Sequence, residues 1–205
     1  MAGHIIALET ASFTFMVPLG LALAITVRVG HAMGRGDPRA ARIAGTVGIG
    51  LSFSFMGLAA VGMLLFPELI AACFTDRIEV QQLAVSLLAM AAIFQLSDGL
   101  QVSGNGALRG LKDTTVPMLI TLTAYWLVGF PLALLFGVTL KGGPIGLWWG
   151  LIAGLTSAAV LLNARFFWRM HRLIQAAERG QERLALRPEL AGAHVVALQA
   201  EVNGR

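Results

Sequence analysis

The chain has 205 residues, of which 57% are hydrophobic and 13% charged, with a formal net charge of +4 and a mean hydropathy of +0.76. Soluble domains carry about 25% charged residues, and one soluble core cannot bury five long apolar segments in succession, so a soluble fold is excluded. A nucleic-acid-binding domain is excluded as well, because the basic residues sit on connections between apolar segments and form no soluble basic surface.

The composition predicts an all-α integral membrane protein with five spans, at about 4–27, 43–66, 83–108, 117–140 and 145–168. Residues 1–170 form the membrane region, and 171–205 form a basic cytoplasmic tail.

Span one carries Glu9, one to two turns from its start, on a face with Ser12, Met16 and Gly20. That position fits either a solvated interfacial acid or one that faces a shared cavity. Pro18, farther along, removes a helix hydrogen bond and favours a kink or a hinge. The next connection, "RVGHAMGRGDPRAAR", reads as a basic, Gly-interrupted loop. It lacks the Gly-Lys-Ser/Thr ending of a phosphate loop, so nucleotide binding is rejected.

Span three holds Asp98 near its centre. A carboxylate at bilayer depth costs about 2.5–3.5 kcal/mol on insertion scales, so such residues usually face a cavity, a partner or an ion. At 100° per residue, Gln95, Gln101 and Asn105 fall within about 60° of Asp98. One face of this helix is thus polar for three turns. A hydrogen-bonded seam between helices would also place amides there, but a seam needs no ionisable group. The face therefore reads as a cation or proton site, with Asp98 and Glu9 as its acids.

Pro131 interrupts span four and is the second candidate kink or hinge. In span five, Gly146, Gly150, Gly154 and Ala158 recur every four residues, a small-residue ridge that lets another helix approach closely. Trp126, Trp148, Trp149 and Trp168 lie toward the outer half or the ends of spans, where most fit interfacial anchoring. The tail begins basic and helix-prone after Trp168 and is expected to break at Gly180 and Pro188.

Basic residues alternate between rich and poor connections. Arg28, Arg35, Arg39 and Arg42 follow span one, Arg109 and Lys112 follow span three, and Arg165, Arg169 and Arg172 end span five. The positive-inside rule then puts the N-terminus outside and the C-terminus in the cytoplasm. The four histidines show no metal-ligand spacing, the lone Cys73 cannot form an internal disulfide, and no catalytic or metal site is expected. A five-span chain that starts outside without a leader reads as the back part of something larger.

Four stretches, "FTFMVPLGLALAITVRVGHAMGRGDPRAAR", "FQLSDGLQVSGNGALRGLKDTTVP", "YWLVGFPLALLF" and "GGPIGLWWGLIAG", resemble in order and spacing the C-terminal half of the multidrug and toxic compound extrusion (MATE) family of cation-coupled antiporters. The resemblance covers about residues 1–170 and implies a family fold of twelve helices in two six-helix lobes. Cationic, amphipathic drugs then leave in exchange for Na⁺ or H⁺, with no other cofactor. It also implies that Asp98 matches an acid of the C-terminal-lobe cation site and that Glu9 matches a glutamate found in some members.

The five spans correspond to family helices eight to twelve. Helix seven and the N-terminal lobe, the partner this segment would need, have no counterpart in them. On this reading the chain is a multi-pass protein of the inner membrane, in contact with lipid, that does not transport alone. Three other readings stay open: an exporter of lipid-linked substrates from the same superfamily, a structural or regulatory membrane subunit, and an intramembrane enzyme using Glu9 and Asp98 as an acid pair.

Overall fold

A computed structural model describes residues 2–186. Helix α1 spans Ala2–Gly34, α2 Pro38–Leu65, α3 Pro67–Phe74 and α4 Ile78–Gly110. Helix α5 (Thr115–Thr123) and α6 (Phe130–Leu134) form one rod with two π-helical stretches, Ala124–Gly129 and Leu135–Thr139, and α7 spans Gly143–Leu186. Five of these rods are long and apolar enough to cross a membrane. Large apolar side chains such as Phe13, Leu58 and Leu127 point outward, as a lipid-facing surface requires and a soluble one would not tolerate over so wide an area.

The first connection differs from expectation. Helix α1 runs on to Gly34 and α2 starts at Pro38, so the basic loop shrinks to residues 35–37, with Arg28 and His31 on α1 and Arg39 and Arg42 on α2. The turn is made by Gly36 at φ +71°, a conformation that suits glycine. Asp37 then caps α2 by accepting the Ala40 N–H at 2.9 Å, ahead of Pro38 in the first turn.

Helix α7 also continues where a break was expected. It passes through Gly180 as helix, because one glycine costs only about 1 kcal/mol in a long helix. Pro188 and His194 lie outside the described residues. Pro67 both follows α2 and opens the short α3, an element with no sequence-based expectation.

Helices α1 and α4 run parallel and closely packed. Thr26 Oγ1 donates to the Gly106 carbonyl at 2.9 Å, and at the other end Gly3 sits against Leu83 and Ala84. Among the described residues the core has two larger apolar clusters beside a small one of Ile6, Ala71 and Ala84. One gathers Val29, Leu108, Leu162 and Phe166, the other Met63, Leu88, Ala91 and Trp148. Between them lies a band of buried polar side chains that includes Ser52, Gln95, Ser97 and Ser103.

The small-residue ridge of α7 meets the α5–α6 rod. A Cβ on Gly150 would lie 2.2 Å from the Ala133 backbone, and one on Gly154 would lie 2.7 Å from the Gly129 Cα. The two rods therefore touch nearly backbone to backbone. Pro131 sits in the rod just after the first widened stretch, where the Phe130 N–H reaches back to the Tyr125 carbonyl. Widening a turn in this way accommodates a proline that lacks an N–H and crowds the preceding turn.

Trp148 departs from the anchoring expected of most of the tryptophans. It is 2% exposed and packs edge-on against His4 and Phe94, both with ring centroids at 5.7 Å. Its indole N–H is directed to His4 Nδ1 at 3.4 Å, the polar partner that a buried tryptophan usually finds. Trp126, Trp149 and Trp168 are exposed.

Candidate functional site

The rotation of α4 about its axis decides where Asp98 points. One residue back, the Ser97 hydroxyl pairs with Thr156 Oγ1 of α7 at 2.7 Å. One residue on, Gly99 lies against α2: its carbonyl accepts the Ser52 hydroxyl at 3.0 Å, and a Cβ there would strike Met56. Successive helical residues diverge by 100°, so with Ser97 fixed on α7 and Gly99 on α2, Asp98 points into the gap between those directions. It is half-buried. Among the described residues, none of the side-chain hydrogen bonds or ion pairs involves its carboxylate; the neighbouring polar groups are engaged with one another.

Gln101 and Asn105 continue the same face of α4, and both are half-buried. Asn105 lines a cleft of about 410 Å³ between α4 and the α5–α6 rod, together with Arg109, Thr121, Tyr125 and Trp126. Asp98 lies within electrostatic reach of the Tyr125 phenol. A carboxylate with free lone pairs, two amides and a phenol can bind a proton or replace part of the hydration of a monovalent cation.

Gln95 leaves this face. It is 1% exposed and turns into the α2 interface, where Nε2 contacts Met63 Sδ at 3.0 Å and Oε1 has no partner. Its offset of about 60° from Asp98 brings it onto the arc of α4 that packs on α2.

The structure does not bring Glu9 to Asp98. Glu9 is exposed, on the opposite side of α1 from the buried Ala7 and Ala11. The parallel register places it about 13 Å from Asp98 in depth. Of the two prolines, Pro18 is fully buried and Pro131 is exposed.

Several relevant residues escape sequence reasoning. Tyr125 carries no signal of its own, since its position depends on how the fourth span packs. Asn163 of α7 donates to the Leu100 carbonyl at 2.9 Å and leaves its buried Oδ1 unpartnered. At the basic end of the bundle, Asp113 is buried beside Arg165, whose Nε and Nη2 approach its Oδ2 at 2.9 and 2.8 Å, with Arg169 at 3.8 Å. The available signal was opposite charge on two segments that the alternating topology places at one end. Among the described residues, no group of three or more potential metal ligands occurs.

Comparison with known proteins adds three findings. The MatE family pattern matches residues 1–135. The chain is 49% identical over 179 residues to a probable multidrug resistance protein NorM of Pseudomonas putida, covering 85% of this chain and 39% of that protein. It is 45% identical over 185 residues to the multidrug resistance protein PmpM of Pseudomonas aeruginosa, again covering 85% of this chain and 39% of that one. The chain thus spans about two fifths of the length of the curated relatives it matches. Among solved structures, an outward-facing multidrug resistance MATE family transporter of the MOP superfamily superposes with a TM-score of 0.77 at 19% identity, over 85% of this chain and 39% of that one.

Proposed function

The chain belongs to the MatE family, and from that premise we propose that it forms the C-terminal, cation-binding part of a Na⁺- or H⁺-coupled antiporter that exports drugs or organic cations. Asp98 binds the coupling ion. One observation carries this reading: Asp98 is a half-buried carboxylate in mid-helix whose immediate neighbours are fixed to α2 and α7 while its own oxygens remain free. A structural acid would be paired, as Asp113 is.

Gln101, Asn105 and Tyr125 supply the remaining polar wall, and Tyr125 and Trp126 give the cleft beside them aromatic faces for a cation. Glu9 joins the path at another depth, on a face of α1 that the rest of this chain leaves open. The protein lies in the plasma membrane, with the Arg-rich helix ends on the cytoplasmic side. Alternating access requires one repeat to rock against another, so these residues alone bind the ion without carrying cargo.

The test is Asp98→Asn in a transporter that carries this segment. Drug efflux driven by a Na⁺ or pH gradient should fall at least tenfold, and the ion whose gradient ceases to matter is the coupling ion. Unchanged efflux with unchanged ion dependence would refute the assignment. Efflux by the purified 205-residue chain in liposomes would refute the claim that it does not transport alone.

A further inference from the structure

A second site lies in the groove between α1 and α2, which shares no lining residue with the cleft beside Asp98. Its volume is about 690 Å³. The floor closes where Gly48 meets Ile25; a Cβ on that glycine would be 2.2 Å from Ile25 Cγ1. The walls are apolar, with Leu21 and Ala24 on α1 and Ile43, Val47 and Leu51 on α2. Ile43, Val47 and Leu51 are all more than half exposed.

One end of the groove is basic. Arg28, His31 and Arg35 line it; Arg28 and His31 share a face of α1 and Arg35 follows in the turn just after that helix. All three are exposed. Among the described residues no acid lines the groove, and no salt bridge engages Arg28, His31 or Arg35. The nearby carboxylates are committed elsewhere: Asp37 caps α2, and Glu178 holds Arg39 at 2.6 Å.

We propose that this groove binds one anionic phospholipid, with its phosphate between Arg28, His31 and Arg35 and an acyl chain laid along Ile43, Val47 and Leu51. Two guanidiniums and an imidazole at one end match a phosphodiester. The whole groove, from Arg35 at its basic end to Leu21 at its apolar end, is about 21 Å long, close to the depth of one leaflet with its headgroups. A free phosphate would use only the basic end, and a zwitterionic lipid would bring its own cation against the arginines. The proposal rests on the membrane reading but not on ion coupling.

The test uses the purified chain in neutral detergent, with native mass spectrometry after addition of phosphatidylglycerol or of phosphatidylcholine with the same acyl chains. Phosphatidylglycerol should be retained in preference, and Arg28→Gln with Arg35→Gln should lower its retention about tenfold, consistent with several-fold per base at a membrane surface. Arg42→Gln, outside the groove lining, should change it less than twofold. Ala24→Phe, which fills the groove and keeps its bases, should also abolish retention.

Equal retention of the two lipids by the unmodified chain would overturn the proposal, as would an Arg42→Gln effect as large as that of Arg28→Gln, which would indicate diffuse surface charge. So would displacement of the lipid by inorganic phosphate with Ala24→Phe having no effect, which would indicate a site for free anions. The Asp98→Asn efflux test is independent of all three, so either reading can fail alone.

Discussion

One buried amide on α4 shows how little the residue scale tolerates approximation. Gln95 makes one weak contact to sulfur and leaves Oε1 unpartnered in a buried interface. An unsatisfied buried acceptor costs about 1–3 kcal/mol, whereas an apolar group of similar shape carries no such cost. Gln95→Leu should therefore raise the unfolding midpoint in detergent, by about 1 kcal/mol of stability. A fall of that size would mean that Oε1 has a partner in the working protein. Asp98 is the opposite case, a carboxylate whose free oxygens are the proposed ion site. It was legible in the sequence because an acid in an apolar run is conspicuous whatever the packing. Gln95 and Tyr125 were not, because 60° of helix rotation separates a face that packs on α2 from one that borders the cleft, and only the packed neighbours set that rotation.

Among the helices, glycines divide into those that let backbones meet and those that merely sit in a wall. Gly150 faces the Ala133 backbone at a separation that no Cβ fits, while Gly50 has nothing within 4 Å. Gly150→Leu should push the α5–α6 rod off α7 and destabilise the protein by about 2 kcal/mol or more. Gly50→Ala should stabilise it by about 0.5–1 kcal/mol through the lost flexibility of the unfolded chain. Thermal unfolding of both variants beside the parent separates the two classes; a Gly150→Leu variant as stable as the parent would mean that this ridge does not pack as described. The ridge and the five long helices were readable from spacing and hydropathy, which are local properties. The three-residue turn at Gly36, the short α3 and the widened turns around Pro131 were not, since each depends on how a segment settles against its neighbours. Trp148 fails for the same reason. Its distance from the span centre suggested the interface, and only the approach of α1 and α4 encloses it.

At the scale of the whole bundle, the chain builds outward from α4. Helices α1 and α2 pack on α4, α7 packs on its other side, and the α5–α6 rod rests chiefly on α7. That rod is held at its start by one polar fastening. Asp113, in the turn between α4 and α5 that Lys112 makes at φ +57°, accepts a hydrogen bond from Arg165 Nε, forms an ion pair with the same guanidinium and faces Arg169. Removing the acid leaves two arginines together without a counter-charge in a largely buried place, a loss of about 2–3 kcal/mol. The loss should not be spread evenly, because regions with fewer buried contacts open at lower free energy than the core. In Asp113→Ala, amide hydrogen exchange should rise first over residues 115–139, with α1, α2 and α4 still protected. Arg165→Gln should give the same pattern, and the double variant should add little to either single one, because both break one interaction. Uniform exchange across all five rods would mean that the bundle opens as one unit and that the Asp113–Arg165 pair does not hold the rod in place. If the exchange stays local, the rod that carries Tyr125, a wall of the proposed ion site, is also the part of the bundle that opens most readily, so a change at the basic end of the bundle is felt first along that rod.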